Sequence, residues 1–385
     1  MEIQKMEMGK AMKNRIYVCH TYYHAYVAFL KELNLPKEKR GQATLVLSSM
    51  SNNFEDFGER VKSTGLFEDV IPFDERREDF FPELAKYRVD KGNIVFNMWQ
   101  RILFTKKYAK LEAEFVPVDF KQYDEVYVFC DSDPIGYYLN LNRIKYHALE
   151  DGLNCLVHVD AARYDNRGHF GLKAFLSNKL NLIFVQNGYG KYCLDMEVND
   201  IAAIQMPCPK YKEVKRQALV DALSQADKDI ILQAFVRDMD GLKKKIDECR
   251  GEISGKKRGK VLVLTDPLCT LDVRETIFKD IVKEYEKQGQ IFIKPHPRDE
   301  LDYYKVFPDY PIFDATVPME MLNFFEGLRF EIVVTVFTDL KGIRFADKLV
   351  RLGDEFMDKY EDPEIHNQNK RIGIMEKEDA EIHKK

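Results

Sequence analysis

The sequence predicts an α/β protein of two domains, each built around a parallel β-sheet. Short runs of β-branched and aromatic residues alternate with longer segments of helical periodicity along most of the 385 residues. Parallel sheets that are covered by helices on both faces produce this alternation. With 45% hydrophobic residues, the chain can build two cores of ordinary size. We expect Rossmann-like domains at residues 13–250 and 256–355, with flexible ends at 1–12 and 372–385.

The first domain begins with a strand, a turn and a helix. Residues 15–19 (RIYVC) form the expected strand, and apolar residues recur at helical spacing in the following HTYYHAYVAFLKEL. Further strands and one long helix are predicted over the segments 43–47, 70–73, 99–115 (helix), 125–130, 156–159 and 182–185. A polar helical stretch at 211–250 leads into the basic, breaker-rich segment 254–260, which marks the domain boundary.

The second domain repeats the alternation of strands and helices. Its predicted elements, in order, are strand 260–264 (KVLVL), helix 273–287, strand 290–294 (QIFIK), strand 310–313, helix 318–327 and strand 331–336. The same βα pattern in both halves indicates two similar domains.

Charge and cysteine usage exclude several classes of protein. The net charge is −5, from 59 basic and 64 acidic residues, so no overall field attracts nucleic acid. Seven cysteines occur without a C-x-x-C pair, which is typical of free thiols in a cytoplasmic protein. No apolar run is long enough to be a signal peptide core or a transmembrane segment, which leaves peripheral association with a membrane open. Motifs of P-loop, simple dinucleotide, zinc-protease and G-x-S-x-G hydrolase sites are missing, and we expect no cofactor.

The most informative motif follows the predicted strand QIFIK. The sequence Lys294-Pro295-His296-Pro297 holds an imidazole between two prolines, which prevent the chain from continuing as a helix. In open parallel sheets, ligands bind at the carboxyl ends of the strands. We therefore expect His296, with Lys294 and Pro297 beside it, to meet the phosphate of a bound donor.

Two more strand ends of the second domain supply polar groups. A helix is predicted to begin at Pro318, and the unpaired N–H groups of its first turn would bind an anion. Glu320 lies in this first turn. Its carboxylate can accept both hydroxyls of a ribose. Thr335 and Thr338 end the next strand, and their hydroxyls can bind phosphate oxygens. These residues complete the predicted donor-binding set.

Two places offer a carboxylate that could act as a general base. Glu150-Asp151-Gly152 is expected to end a helix, with two acids beside a residue that tolerates any φ. Asp266 and Asp272 lie in the loop after the first strand of the second domain. Each has an ordinary alternative role in a turn or helix cap, so the choice stays open.

The turn after the first strand is the predicted acceptor side. His20, Tyr22 and Tyr23 present imidazole and aromatic groups that suit a sugar. Asp131-Ser132-Asp133 follows another strand and imitates a D-x-D metal site. Because it has the sequence of a turn and helix start, and no second ligand cluster accompanies it, we predict no metal.

Taken together, Glu150-Asp151-Gly152, Lys294-Pro295-His296-Pro297 and Pro318-x-Glu320 resemble motifs of the bacterial sialyltransferases. The chain is most similar to glycosyltransferase family 52, the lipooligosaccharide and capsular polysaccharide sialyltransferase group. One departure is Phe337-Thr338, which stands where that group carries a pair of hydroxyl residues. The resemblance implies a GT-B fold, in which two Rossmann-like domains face each other across a cleft.

The resemblance also implies an activity. Sialic acid would be transferred from CMP-sialic acid to a galactose-type acceptor of a bacterial surface glycan, with inversion and without an obligatory metal. A protonated His296 would be the general acid or phosphate stabiliser, Glu320 the ribose contact and Thr338 a phosphate contact. The protein would be a homodimer.

The base is assigned differently by two groups of relatives. Related families place it in the acid-acid-Gly motif, which here means Glu150 or Asp151. The lipooligosaccharide enzymes use an aspartate of the C-terminal domain, which here means Asp266 or Asp272.

Two other functions fit the same motifs. One is a GT-B polyol-phosphate or sugar transferase with a CDP- or UDP-linked donor, for a capsule or teichoic-type polymer. The other is a GT-B-like protein that binds a glycan or nucleotide without catalysis. Release of CMP from CMP-sialic acid would separate the enzyme from the binding protein.

Overall fold

The computed structural model describes residues 14–129, 131, 134–151, 156, 168–204, 207–250 and 259–363. The chain divides into two compact units, Met1–Ala234 and Phe235–Lys385, each with its own parallel sheet. The α/β class predicted from the alternating pattern is confirmed. The predicted flexible ends, 1–12 and 372–385, lie outside the described residues, as do Gly152 and residues 157–159 of one predicted strand.

The first unit contains a seven-stranded sheet in which all strands are parallel. Its strands are β1 (Arg15–Cys19), β2 (Ala43–Ser48), β3 (Asp69–Phe73), β4 (Glu125–Phe129), β5 (Tyr146–Leu149), β6 (Cys193–Val198) and β7 (Tyr211–Glu213). Their order is β3-β2-β1-β4-β5-β6-β7. The sheet therefore has the 3-2-1-4-5-6 order of doubly wound folds, with its topological switch point between β1 and β4.

Helices alternate with the strands of this sheet along the chain. The α-helices that begin in this unit are α1 (Tyr22–Leu33), α2 (Phe57–Ser63), α3 (Ile94–Glu112), α4 (Pro134–Leu141), α5 (Phe170–Asn178), α6 (Arg216–Asp221) and α7 (Gln225–Phe235). Helix α1 starts where it does because the Thr21 hydroxyl accepts the backbone N–H of His24 at 3.1 Å. Ile16, Val18 and Val128 of the central strands are fully buried.

Three sequence predictions for this unit were wrong. Residues 146–149 form strand β5 between β4 and β6, not the end of a helix. Residues 182–185 are buried but form no strand, since this apolar run fills the core without a ladder partner. Strands β6 and β7 were missed because charged residues interrupt CLDMEV and YKE.

The second unit has a smaller parallel sheet. Its strands are β8 (Gly259–Leu264), β9 (Gly289–Lys294), β10 (Phe330–Thr335) and β11 (Ala346–Arg351), in the order β11-β10-β8-β9. Its α-helices are α8 (Met239–Arg250), α9 (Leu271–Tyr285), α10 (Tyr303–Val306) and α11 (Gly353–Met357). Val263, Ile293 and Val334 are fully or almost fully buried in its core. Strand β11 was missed because its residues, ADKLVR, are largely exposed.

Two elements of this unit differ from the prediction. Residues 310–313 form one isolated bridge, between Ile293 and Ile312, instead of a strand. The segment 318–327 contains a short 3-10 helix, Met319–Phe324, instead of an α-helix. Six residues in 3-10 geometry do not align enough peptide groups for a helix dipole, so the anion site expected at Pro318 loses its basis.

No helix of the described ranges is long and apolar enough to cross a membrane.

Candidate active site

In the first unit, polar side chains gather at the carboxyl ends of strands β1, β2 and β3. His20 follows β1, and its Nε2 lies 2.6 Å from Oε2 of Glu75, which follows β3. The same carboxylate accepts the Ser48 hydroxyl at 2.7 Å and the backbone N–H of Ile135 at 2.9 Å. Glu75 and His20 are buried, so this cluster joins three strands and a helix at the switch point.

The acceptor-side prediction needs correction in two of its three residues. His20 is buried against Glu75, and its imidazole is not presented to a ligand. Tyr22 is also buried, because its ring packs against Phe54 and Phe57. Tyr23 is partly exposed and remains a candidate contact.

A second pair at this edge joins His24 of α1 to Asp151, which follows β5. The imidazole stacks on Phe129 with centroids 4.0 Å apart, and its Nε2 is hydrogen-bonded to Oδ1 of Asp151. On the other side of the ring, Nδ1 accepts the backbone N–H of His20 at 3.1 Å. An amide can only donate, so the ring proton sits on Nε2 and is donated to Asp151. This pair orients the Asp151 carboxylate.

The two neighbouring acids differ sharply in environment. Glu150 is buried, and its Oε2 accepts the backbone N–H of Asn199 at 2.6 Å. Burial raises its pKa, an effect that Arg216 and the Asn199 hydrogen bond oppose. The Asp151 side chain is 46% exposed. Of the two, Asp151 has the carboxylate that is both oriented and accessible.

Asp131 has a structural role in the first unit. It is buried, with φ at 31°, and accepts the Tyr146 hydroxyl at 2.6 Å and the backbone N–H of Asn187. Burial raises its pKa to about 7. Ser132 and Asp133 lie outside the described residues. Within the described ranges, no three His, Cys, Asp or Glu side chains are grouped so that they could hold a metal ion.

In the second unit, Asp266 organises the edge of the four-stranded sheet. It follows β8, and one oxygen accepts the Thr335 hydroxyl at 2.8 Å and the backbone N–H groups of Val336 and Phe337 at 3.2 and 3.1 Å. The other oxygen accepts the Thr338 hydroxyl at 2.6 Å. With four donors, this buried carboxylate is already satisfied and fixes the loop after β10 to that after β8.

This network changes the interpretation of the threonines. Thr335 and Thr338 each donate their one hydroxyl proton to Asp266. In this arrangement both hydroxyls can only accept further hydrogen bonds, and a phosphate offers acceptors. A phosphate contact at Thr338 therefore requires its hydroxyl to turn away from Asp266. Asp272 is an exposed carboxylate in the first turn of α9, and it is bonded to the Thr270 hydroxyl.

Replacing Asp266 with asparagine should destabilise the second unit. The amide would bring two N–H donors toward a ring of donors, so at least one buried hydrogen bond is lost, at a cost of about 3 kcal/mol. We expect a clearly lower thermal midpoint, measured by circular dichroism or calorimetry. The matched Asp272→Asn change, at an exposed position, should leave the midpoint nearly unchanged. Equal midpoints for both variants would contradict the structural role of Asp266.

His296 is held in one orientation by its own loop. Its Nδ1 accepts the backbone N–H of Arg298 at 3.1 Å, so its proton is on Nε2. Its backbone N–H donates to the Thr265 hydroxyl at 3.0 Å. Burial, aided by the nearby Arg298 charge, lowers the pKa of His296 to about 4. Without ligand the imidazole is thus neutral at pH 7 and offers an Nε2–H donor, so the expected protonated form requires a bound phosphate that raises this pKa.

A buried ion pair, missed by the sequence analysis, braces this loop. Arg274 of α9 pairs with Asp299 at 2.5 Å and donates to the carbonyls of Leu268 and Cys269. Asp299 also accepts the Tyr303 hydroxyl at 2.7 Å. The pair fastens the loops after β8 and β9 together. The feature of the sequence that could have indicated this pair is Asp299, three residues after His296. An acid in such a turn is usually solvated, so its position alone did not indicate a buried ion pair.

Lys294 is the last residue of β9, and Glu320 lies in the 3-10 helix Met319–Phe324. The Lys294 amine is buried and donates to the carbonyls of Pro295 and Ala315, both at 3.0 Å. Burial lowers its pKa to about 8, while Asp314 and Glu320 act in the opposite direction. Lys294 therefore braces the loop, which corrects its assignment as a direct phosphate contact. Glu320 is half-buried, burial raises its pKa, and it remains a candidate ribose contact. Pro297 is exposed beside His296.

Comparison with known proteins supplies the family. The sequence profile of Glycosyltransferase family 52 matches residues 87–339, which is more than half of the chain. A shorter similarity links the chain to an uncharacterized protein of Haemophilus influenzae, 36% identical over 73 residues. That match spans 19% of this chain and 23% of the length of the relative.

Two solved structures share the fold. The GT-B domain of a sialyltransferase from Photobacterium damselae has a TM-score of 0.51 at 11% identity, over 88% of this chain and 89% of that chain. The 2,6-sialyltransferase of Photobacterium sp. JT-ISH-224, solved with the donor product CMP and the acceptor lactose, has a TM-score of 0.53 at 11% identity. It is matched over 88% of this chain and 71% of that chain. The predicted GT-B fold class is confirmed.

Proposed function

Because the chain belongs to glycosyltransferase family 52, we propose that it transfers sialic acid from CMP-sialic acid to a galactose-type acceptor. Membership of the family makes the protein a glycosyltransferase and confirms the resemblance seen in the sequence motifs. The donor, the acceptor and the residues that act on them are our proposal. It takes support from two neighbours of the same fold that are sialyltransferases, one of them solved with CMP and lactose.

The second unit is proposed to bind the nucleotide. His296 would offer its Nε2–H donor to the phosphate from a loop that Thr265, Arg274 and Asp299 hold in place. A neutral N–H donor suits the single phosphate of CMP, which carries less charge than a diphosphate. Glu320 would accept the ribose hydroxyls.

The first unit is proposed to supply the general base, Asp151. The environments of the four candidate carboxylates support this choice. Glu150 is buried and engaged with Asn199, and Asp266 is saturated by four donors. Asp272 is exposed but belongs to a helix start. Asp151 combines an accessible carboxylate with an imidazole that orients it, and this observation carries the proposal.

The proposed reaction is a single displacement. The acceptor hydroxyl oxygen bonds to the anomeric carbon of sialic acid while the bond from that carbon to the phosphate oxygen breaks. The bonding pair leaves with CMP, the hydroxyl proton moves to Asp151, and the anomeric configuration inverts. His296 donates its N–H to the departing phosphate. The proposal requires no divalent cation, so turnover should persist in EDTA.

The direct test is release of CMP. The full-length protein is incubated with CMP-sialic acid and lactose, and CMP and sialyllactose are quantified. Equal amounts of the two products are expected. Neither product, with donor and acceptor both shown to bind, would favour the non-catalytic alternative and overturn the proposal.

The chief alternative keeps the GT-B fold but changes the donor to a CDP- or UDP-linked polyol or sugar. Phe337 favours it, because this position carries no hydroxyl, and the Thr338 hydroxyl is engaged by Asp266. We expect CMP to raise the melting temperature more than CDP, UDP or ADP at equal concentration, since a ligand that binds the folded state stabilises it. A larger shift with CDP would support the alternative, and equal shifts from all four would remove the cytidine assignment.

A further inference from the structure

The N-terminal end of helix α3 exposes an unusual group of large apolar side chains. Val95, Phe96 and Trp99 are 71%, 62% and 58% exposed, and Ile94 and Val89 are also more than half exposed. Soluble surfaces seldom keep such residues together without a partner. We call Val89, Ile94, Val95, Phe96 and Trp99 the apolar tip.

The apolar tip is held in shape by its own hydrogen bonds. The Asn93 side chain caps α3 by accepting the backbone N–H of Val95 at 2.8 Å. Asp90 accepts the backbone N–H of Gly92 at 2.8 Å and the Asn97 amide at 2.6 Å. Gly92 has φ at 65°, which a residue without Cβ adopts at no steric cost. These apolar groups are thus presented by an ordered helix start.

Basic residues follow the apolar tip on the same helix. Residues 86–110 include seven basic side chains and one acidic side chain, Asp90, although the whole chain is acidic. Lys106 and Lys110 are exposed and lie on the helix face of Val95 and Trp99, since their spacings of 4 and 7 residues return to one face. At 1.5 Å per residue, they lie roughly 10 and 16 Å along the axis from Trp99.

We propose that this end of α3 docks on an anionic lipid surface. The apolar tip would enter the boundary between headgroups and acyl chains, which is about 5–10 Å deep. Lys106 and Lys110 would then stand at the level of the anionic headgroups, where each lysine contributes attraction. The lysines favour an anionic bilayer over a second copy of this chain, because their positive charge is complementary to that of the lipid headgroups. The proposal does not depend on the donor or acceptor.

The chain carries its own probe for this test. Trp99 is its single tryptophan, so its emission reports on the apolar tip alone. With vesicles of phosphatidylcholine containing about 30% phosphatidylglycerol, we expect a blue shift and co-sedimentation that high salt reverses. Pure phosphatidylcholine should give little of either. No shift with anionic vesicles, or equal binding to both vesicle types, would overturn the proposal.

Paired variants separate the two contributions. Lys106→Glu with Lys110→Glu should weaken binding roughly tenfold or more, whereas Lys283→Glu with Lys287→Glu, at two exposed positions in and just after α9, should not. Val95→Ser with Phe96→Ser should abolish the blue shift of Trp99, and the exposed pair Leu271→Ser with Leu349→Ser should preserve it. A blue shift that grows with protein concentration in the absence of lipid would show that a second copy covers the tip, which would refute the proposal.

Discussion

Replacing Asp151 with asparagine is expected to lower kcat for sialyl transfer by about 10²–10⁴-fold, because the acceptor hydroxyl loses its proton acceptor. The KM for CMP-sialic acid should stay nearly constant, since the proposed nucleotide contacts lie on the second unit. Steady-state kinetics with lactose, and the melting temperature of the variant, provide the measurement. The matched control is Glu150→Gln, which changes the neighbouring buried acid and should keep most of the activity.

The role of His24 gives this prediction a second, independent test. His24→Phe keeps an aromatic ring that can stack on Phe129 but removes the donor to Asp151. We expect a smaller loss of kcat than for Asp151→Asn. Because His24 acts through Asp151, its substitution should cost little more in the Asp151→Asn background. Additive losses in the double variant would refute this positioning role, and a fully active Asp151→Asn would remove the base assignment altogether.

The sequence predicted the strands that are strongly apolar, and it failed where local composition and tertiary position conflict. Strands such as RIYVC and QIFIK are buried on both faces, so every residue contributes to one pattern. Strand β5 was mistaken for a helix end because only four residues separate the turn after α4 from the acidic turn. The run 182–185 has the composition of a strand, yet its neighbours leave it no ladder to join.

In the candidate site, too, local sequence features were predictable and long-range contacts were not. The motifs proposed His296 and Asp151 as site residues, because proline restricts φ and two adjacent acids before a glycine stand out in the sequence, although the acids were expected at the end of a helix and follow strand β5 instead. They could not show that Thr335 and Thr338 give their protons to Asp266, since that contact spans about seventy residues and depends on the parallel order β10-β8. Nor could the motifs show the role of His24, which comes from the side chain that it meets 127 residues later.

The pKa of His296 illustrates a property that only packing determines. In the sequence, His296 lies between Lys294 and Arg298, and basic neighbours are ordinary for a histidine that binds phosphate. In the fold, burial removes solvent from the ring and Arg298 adds a positive charge, so the protonated form is disfavoured. Between pH 6.5 and 4 the unfolded chain binds this proton and the folded chain does not, so this group lowers stability as the pH falls through that range.

Replacing His296 with alanine is expected to reduce kcat by about 10²–10³-fold, because the departing phosphate loses a fixed hydrogen-bond donor. The loss should appear both in transfer to lactose and in slow hydrolysis of the donor, since both break the same bond to phosphate. The fold should survive, because His296 is only partly buried and Thr265 receives the backbone N–H, which alanine retains. Activity close to that of the unsubstituted protein would end the catalytic assignment of this residue.

Glutamine at position 296 distinguishes a donor from an acid. Its amide can place an N–H near the site of Nε2 but cannot release a proton. If the neutral imidazole acts as a donor, His296→Gln should recover at least part of the activity that alanine loses. An NMR titration of His296, assigned by its absence in the variant, should give a pKa well below 6.5 without ligand. Bound CMP should raise that pKa, because the phosphate charge favours the imidazolium. A glutamine variant as inactive as alanine, with an imidazole that CMP protonates at neutral pH, would assign general acid catalysis to His296 instead.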